Sequence, residues 1–139
     1  MINSRSLDDL IPPARERAAK FLQHCQAAGI EVLIYCTYRD NESQAALYAQ
    51  GRTTPGARVT NAKPGESWHN YRCAFDCVPM LAGKPMWGDA KSYARMGEIG
   101  ESLGLEWAGR WQGSLKETAH FQYTGGLTLA DLKAGKVPE

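Results

Sequence analysis

The sequence predicts a single domain, residues 1–139, of the α+β class, in which helices flank a small antiparallel sheet. The chain has 139 residues, a length suited to one domain with one core. Hydrophobic residues make up 43% of the chain and charged residues 22%, as in ordinary globular domains. Helical and strand-like segments follow one another without the regular βαβ order of a parallel sheet, which favours the α+β class.

The first part of the chain predicts a helix, a strand and a second helix. Apolar residues recur at helical spacing from Pro13 onward, and Gly29 ends the pattern. Residues 30–36 are rich in Val, Ile, Leu and Tyr, which indicates a buried strand. Asp40 is expected to cap the second helix, which ends at Gly51.

The middle of the chain predicts a loop and then a strand. Residues 52–66 contain several prolines and glycines and are expected to be mostly loop, with a short strand at Val59. Residues 72–78 alternate as a strand does. In an extended chain, Arg72, Ala74 and Asp76 would share one face, and Cys73, Phe75 and Cys77 the other.

The last part of the chain predicts two helices separated by short strands. Asp89 is expected to cap a third helix that Gly104 ends. Residues 106–107 and 119–123 indicate short strands around a loop rich in Gly and Trp. Thr128 is expected to cap a final short helix.

The charge and hydropathy of the chain exclude several classes of partner. Lys and Arg total 16 against 15 Asp and Glu, which gives a formal net charge of +1 and no basic surface for duplex nucleic acid. No apolar stretch is long enough for a membrane span. The first residues do not resemble a signal peptide, so we expect synthesis in the cytoplasm. In that reducing compartment the four cysteines are expected to be buried and free.

Two histidines and an aspartate form a candidate metal site. His69 precedes Asp76 by seven residues, and His120 follows about fifty residues later. Two imidazoles and a carboxylate supply three ligands and leave a position for water, as in catalytic zinc sites. Glu117 stands just before His120 and is a candidate general base. A rival site of His69 with Cys73 and Cys77 is disfavoured, because those thiols would face the core.

Two sequence motifs resemble those of a known family. Residues 67–76, Ser-Trp-His-Asn-Tyr-Arg-Cys-Ala-Phe-Asp, resemble the S-x-H-x-x-G-x-A-x-D signature of the zinc D-alanyl-D-alanine peptidases (VanY-like, with the hedgehog/DD-peptidase fold) and the related phage L-alanyl-D-glutamate endolysins. Residues 117–122, Glu-Thr-Ala-His-Phe-Gln, are similar to the second motif, which has an acidic residue before a histidine. Segments 37–53, 103–107 and 126–129 fit the endolysin branch, so the resemblance covers nearly the whole chain.

The sequence departs from the family pattern at two positions. Arg72 stands where the signature has glycine, and Ala108 stands where glycine usually follows the Glu-Trp pair. A β-carbon at position 72 disfavours a backbone with positive φ. We therefore expect one of two explanations. Either the backbone at Arg72 is strained, or the glycine of the family serves mainly to let other atoms approach the backbone closely. Arg72 is also a possible ion-pair partner of Asp76, in which case it would compete with a metal.

The resemblance implies a role for each matched residue. It implies one Zn²⁺ per chain held by His69, Asp76 and His120, with Glu117 as general base. Arg39 is implied to stabilise the oxyanion or to bind a substrate carboxylate, with an exposed loop charge as the alternative. The remaining substrate-binding candidates, each with a purely structural alternative, are Gln44, Ser67 and Trp111.

The resemblance also implies a function. We expect a peptidoglycan-degrading zinc metallopeptidase, of the phage endolysin type, that cuts the L-alanyl-D-glutamate bond of the stem peptide. Such an enzyme is expected to be a monomer, to be made in the host cytoplasm and to reach the wall after a separate pore-forming protein releases it. The alternatives are a D-alanyl-D-alanine carboxypeptidase or dipeptidase, a non-catalytic zinc-bound wall-binding module, and a non-haem iron oxygenase. The oxygenase is disfavoured because its carboxylate usually follows the first histidine by two residues.

Overall fold

A computed structural model describes all of residues 1–139 and contains four α-helices and five strands. The helices are α1 (Pro12–Ala27), α2 (Asn41–Ala49), α3 (Ala90–Ser102) and α4 (Leu129–Lys133). The strands are β1 (Glu31–Cys36), β2 (Ala74–Leu81), β3 (Lys84–Pro85), β4 (Glu106–Trp107) and β5 (His120–Gln122). The predicted α+β class is confirmed. No helix has both the length and the apolar character needed to cross a bilayer.

The strands form one antiparallel sheet in the order β1-β2-β5-β4, and β3 pairs with the far end of β2. The central strand β2 therefore has a neighbour on each side. Asp76 in β2 lies opposite Cys36 in β1 and opposite His120 in β5. The pairing of β1 with β2 is irregular between Ile34 and Cys36, where a bulge shifts the register. The register thus places Asp76 at the centre of the sheet.

The core lies between the sheet and the two long helices. Phe21 of α1 packs against Phe75 and Phe121, with ring centroids 5.4 Å and 4.8 Å away. Helix α3 approaches the sheet closely because it carries glycine at two contact positions. A β-carbon at Gly97 would lie 2.3 Å from the Trp107 ring, so only glycine fits there without a shift. The cysteines are buried and free, as predicted: Cys25, Cys36, Cys73 and Cys77.

The predicted helix caps are confirmed. The side chain of Asp40 accepts a hydrogen bond from the backbone N–H of Ser43, and that of Asp89 accepts one from Ser92. Thr128 forms a capping box at the start of α4. Each side chain satisfies a backbone N–H that has no partner within its own helix.

Two details of the predicted strands are wrong. Strand β2 begins at Ala74, because Arg72 adopts the left-handed conformation with φ 61° and ψ 31°. Its guanidinium bonds the carbonyl oxygen of Asp9 at 3.1 Å and lies over the Tyr38 ring, so it does not pair with Asp76. The loop 52–66 contains no strand at Val59, whose side chain is exposed.

A short N-terminal segment, residues 2–4, runs along the chain that leaves β1. The N–H of Ser4 donates to the carbonyl of Tyr38 at 2.7 Å, and the N–H of Thr37 donates to the carbonyl of Ser4 at 2.8 Å. The N–H of Asp40 donates to the carbonyl of Ile2 at 3.0 Å. These bonds fix residues 37–40, which border the site described next.

Candidate active site

The fold brings the three predicted metal ligands together at the floor of a cleft. Asp76 comes from β2, His120 from β5, and His69 from the short 3₁₀ turn Trp68–Tyr71 that precedes β2. Oδ1 of Asp76 lies 3.1 Å from Nε2 of His69 and 3.0 Å from Nδ1 of His120. One carboxylate oxygen therefore faces one nitrogen of each imidazole.

Local hydrogen bonds hold the turn that carries His69. The hydroxyl of Ser67 accepts from the N–H of His69 at 3.2 Å, and the side chain of Asn70 accepts from the N–H of Ser67 at 3.2 Å. Arg72 ends the turn in its left-handed conformation. The signature residues around His69 thus build the turn itself.

The remaining nitrogen of each imidazole has its own hydrogen-bond partner. Nδ1 of His69 lies 2.8 Å from the carbonyl oxygen of Thr37, and Nε2 of His120 lies 2.8 Å from Oε1 of Gln122. Histidines that bind metals are typically oriented in this way through the nitrogen that does not bind. Ligand atoms of a tetrahedral zinc ion lie roughly 3.3 Å apart. The donor types suit a zinc ion, and the 3.1 Å and 3.0 Å distances from Asp76 to the two imidazole nitrogens are close to this spacing.

The electrostatics of the site favour a positive charge beside Asp76. Burial alone would lower the pKa of His69, but the adjacent Asp76 carboxylate more than reverses this and raises it to about 10. Burial would likewise raise the pKa of Asp76, but the two imidazoles hold it well below its usual range. Because the pKa of His69 is raised, a metal ion at this position competes with a proton for the imidazole.

Cys36 is a further potential ligand that the sequence analysis did not single out. It forms a compact group with His69 and Asp76, in which the candidate ligand atoms lie within 4.8 Å of one another. However, its Sγ lies 3.6 Å from Nδ1 of His69, the nitrogen already bonded to Thr37, whereas Asp76 faces Nε2. His120, whose Nδ1 faces the same oxygen of Asp76 as Nε2 of His69, is therefore the better candidate for the third position. The rival site with Cys73 and Cys77 is wrong, because both thiols lie in the core.

Arg39 lines the cleft beside this trio, and two side chains hold its guanidinium. Its Nη1 donates to Oε1 of Gln44 at 3.0 Å, and its Nη2 donates to Sγ of Cys36 at 3.2 Å. Gln44 is fully buried and also donates to the carbonyl of Ala62, so it does not reach the cleft. Gln44 therefore supports Arg39 and is corrected from a substrate contact to a residue beneath the cleft wall.

Glu117 and Trp111 also line the cleft, and both lie near His120. Oε2 of Glu117 lies 3.9 Å from Nδ1 of His120, and its side chain is 56% exposed, so it is free to contact a bound molecule. The backbone N–H of Glu117 donates to the carbonyl of Ala108 at 3.1 Å. The Trp111 ring lies 5.7 Å from that of His120. The loop before β5 thus presents both side chains beside His120.

The cleft has a volume of about 1030 Å³, and aromatic side chains form much of its wall. Ser67 lines it in addition to capping the turn. Two wall residues that the sequence analysis did not assign to the site are Tyr35 and Trp87, whose rings meet edge to face at 5.3 Å. Trp87 is 57% exposed, which sequence hydropathy alone does not indicate.

An antiparallel sheet that presents two imidazoles and a carboxylate to a cleft, with an exposed carboxylate beside them, could hold a catalytic metal ion. The profile of the VanY family, described as D-alanyl-D-alanine carboxypeptidase, matches residues 8–126. The chain belongs to this family.

Two curated relatives are similar to the chain in sequence. The peptidoglycan L-alanyl-D-glutamate endopeptidase CwlK of Bacillus subtilis is 34% identical over 123 residues, which cover 82% of this chain and 73% of the relative. The L-alanyl-D-glutamate peptidase of Listeria phage A118 is 36% identical over 126 residues, 86% of this chain but only 41% of the relative.

Solved structures share the fold. The L-Ala D-Glu endopeptidase ChiX of Serratia marcescens superposes with a TM-score of 0.64 at 23% identity, over 94% of this chain and 92% of that one. A vancomycin-resistance D,D-pentapeptidase VanY, solved in complex with Zn(II), superposes with a TM-score of 0.60 at 15% identity, over 90% and 76% of the two chains.

Proposed function

We propose that this protein is a zinc-dependent endopeptidase that hydrolyses the L-alanyl-D-glutamate bond of the peptidoglycan stem peptide. The observation that carries the proposal is that Nε2 of His69 and Nδ1 of His120 both face Oδ1 of Asp76 at the cleft floor, with Oε2 of Glu117 3.9 Å from Nδ1 of His120. The names of both curated relatives support this choice of bond.

His69, Asp76 and His120 would hold the zinc ion. Their donor atoms are two nitrogens and one oxygen, the set found in catalytic zinc sites with an open position. When bound, zinc lowers the pKa of a coordinated water toward about 7 and polarises the scissile carbonyl. The hydrogen bonds to Thr37 and Gln122 hold the two rings in place before any ion arrives.

Glu117 acts as the general base and then as the general acid. Its exposed Oε2 accepts a proton from the attacking water and delivers that proton to the amine of the leaving D-glutamyl residue. Hydrolysis thus breaks the amide C–N bond and forms a carboxylate on L-alanine. The backbone N–H of Glu117 donates a hydrogen bond to the carbonyl of Ala108. This bond helps to hold the carboxylate near His120.

Arg39 binds a carboxylate of the substrate. Two of its donors are occupied by Gln44 and Cys36, which fixes the plane of the guanidinium while the side chain still lines the cleft. A fixed guanidinium recognises a carboxylate by charge and geometry together. Ser67 and Trp111 complete the wall around the peptide.

A second candidate function is cleavage of the D-alanyl-D-alanine bond, because the matching family profile carries that description. Mass spectrometry of purified Gram-negative peptidoglycan after digestion separates the two. Stem peptides with a new N-terminal D-glutamate support the endopeptidase, whereas release of D-alanine alone supports the carboxypeptidase. Chelator-treated protein and Glu117→Ala should release neither product. No cleavage by a folded, zinc-loaded sample would instead indicate a wall-binding module.

We also propose that the protein acts as a phage-type endolysin. The similarity to the peptidase of Listeria phage A118 supports this role. A monomer held in the host cytoplasm would reach the wall only after a separate pore-forming protein opens the membrane. Expression in a Gram-negative host should then leave the culture turbid until a pore-forming protein is co-expressed, and Glu117→Ala should abolish the lysis that follows.

A further inference from the structure

A chain of three side chains extends from His120 away from the cleft across strands β4 and β5. Nε2 of His120 lies 2.8 Å from Oε1 of Gln122, and Nε2 of Gln122 donates to Oε2 of Glu106 at 2.5 Å. Glu106 lies directly opposite Gln122 in the pairing of the two strands. Gln122 lines the cleft, whereas Glu106 does not.

The chemistry of these groups gives the chain a direction. An ionised carboxylate accepts hydrogen bonds and donates none, so the Glu106 carboxylate requires the NH₂ group of Gln122 on its side. The carbonyl oxygen of Gln122 must then face His120, and it requires a proton on Nε2 of that ring. Nδ1 of His120 consequently becomes the nitrogen that is available to a metal, and it is the one that faces Asp76.

The burial of His120 and Gln122 makes this direction difficult to reverse, although Glu106 at the far end is exposed. His120 and Gln122 are only 6% and 3% exposed, so water cannot readily replace either partner. If the Gln122 amide were rotated so that its oxygen and nitrogen exchanged places, its oxygen would face the Glu106 carboxylate and its NH₂ group would face the N–H of the His120 ring. The contact between the two N–H groups would be unfavourable because it is buried, and the contact between the two oxygens would be repulsive.

We propose that Gln122 and Glu106 are positioning residues that fix the His120 ring with its proton on Nε2 and its Nδ1 free to bind the metal. Gln122 acts directly on the ring, and Glu106 acts by setting the orientation of the Gln122 amide. The inference rests on the metal site of the proposed function. It assigns a role to a carboxylate that contacts neither the metal ligands nor the cleft.

Three variants test the direction of the chain. Glu106→Gln keeps the shape of the side chain but allows either orientation of the Gln122 amide. Gln122→Met removes the acceptor for the ring N–H. The double variant Glu106→Gln/Gln122→Glu restores it, because a glutamate at position 122 accepts from His120 while a glutamine at position 106 donates to that glutamate.

Two measurements read the result without peptidoglycan. The first is the Zn²⁺ affinity of the purified chain, measured by competition with a chromogenic chelator. We expect a loss of about 10–100-fold in each single variant, the range typical for partners of metal-binding histidines, and recovery in the double variant to within about threefold of the wild type. The second is the NMR signal of the His120 Nε2–H in zinc-loaded protein with ¹⁵N-labelled histidine. This proton should exchange slowly in the wild type and the double variant and rapidly in the single variants.

Glu101→Gln is the matched control, because Glu101 is a carboxylate on α3 that pairs with Arg110 at 2.8 Å, away from the cleft. It should change neither measurement. Unchanged zinc affinity or an unchanged Nε2–H signal in folded Glu106→Gln would overturn the proposal, as would a double variant no better than the single ones. If Gln122→Met does not fold, Glu106→Gln and the double variant still decide. If the protein gives the expected zinc affinities and NMR signals but cleaves no peptidoglycan, the proposed function is contradicted and the roles of Gln122 and Glu106 stand.

Discussion

Asp76 and His120 lie directly opposite each other in the antiparallel pairing of β2 with β5, with Oδ1 of one 3.0 Å from Nδ1 of the other. The backbone ladder of the sheet therefore sets the distance between these two candidate ligands. His69, the third, sits on a turn that leads directly into β2. Two of the three candidate ligands thus lie on the sheet, and the third lies on the turn that leads into it.

Replacing Asp76 should remove the metal, whereas replacing a neighbouring thiol should not. Loss of a residue that hydrogen-bonds a metal ligand typically lowers affinity by roughly 10–100-fold. We expect Asp76→Asn to lower zinc affinity by more than this, because it removes the only anionic donor of the three. Cys73→Ser should keep one zinc per chain, since its sulfur lies in the core. Elemental analysis of the purified proteins measures both. Loss of zinc from a folded Cys73→Ser protein would contradict the ligand assignment.

Replacing Glu117 should slow the reaction without releasing the metal. Glu117→Gln keeps the shape of the side chain but cannot accept the proton, so kcat should fall by about 10²–10⁴-fold. Glu66→Gln is the control, because Glu66 lines the same cleft but pairs with Lys133 at 3.5 Å. Zinc content and kcat on purified muropeptides are the measurements. Equal rates in the two variants would exclude Glu117 as the base.

Replacing Arg39 should weaken substrate binding more than turnover. Lysine retains the charge, but its single ammonium group cannot reproduce the two hydrogen bonds that the planar guanidinium donates to Gln44 and Cys36. We expect Arg39→Lys to raise KM by about 10–100-fold, as for loss of a charge-assisted hydrogen bond, with a smaller change in kcat. Steady-state kinetics check this. A fall in kcat at constant KM would instead indicate a role at the oxyanion.

The left-handed conformation of Arg72 should make glycine better than alanine at that position. Both Arg72→Gly and Arg72→Ala lose the contacts with Asp9 and Tyr38, but only alanine keeps a β-carbon at φ 61°. We expect the glycine variant to have a free energy of unfolding about 1 kcal/mol higher than the alanine variant. Urea denaturation of the pair measures the difference. Equal values would mean that the backbone there is unstrained.

The buried thiols should destabilise the fold in alkali. Burial raises the pKa of Cys25 from 9.0 to about 11, so between these values the unfolded chain binds fewer protons than the folded one. The free energy of unfolding therefore falls as pH rises above about 9, by up to about 1.4 kcal/mol per pH unit for each such thiol. Cys25→Ala should show a shallower fall under reducing conditions, measured by denaturation from pH 8 to 11. Parallel curves would contradict this account.

Local signals were sufficient to predict most elements and the three candidate ligands. Caps such as Asp40 and Asp89 act within a few residues, so they are visible in the sequence. His69 and Asp76 belong to one continuous motif. Gln122 was within reach of the same reasoning, because it lies two residues after His120 and therefore on the same face of a strand.

Contacts between distant segments were not predictable in this way. The pairing of Glu106 with Gln122 depends on the order of the strands, and the closeness of Cys36 to His69 depends on a bulge in β1. The buried position of Gln44 follows from how α2 packs over the loop 52–66, which its helical pattern does not specify. A residue with a β-carbon disfavours the left-handed backbone conformation that Arg72 adopts, so its identity alone does not predict that conformation.

The hydrogen bonds of residues 2–4 bear on where the chain can be shortened. The family match spans residues 8–126, and a fragment trimmed to it would keep every candidate ligand. It would lose the Ser4 carbonyl that binds the N–H of Thr37, the residue whose own carbonyl orients His69. It would also lose Leu132 of α4, which is buried in the core. A fragment of residues 8–126 is therefore too short to preserve the geometry of the site.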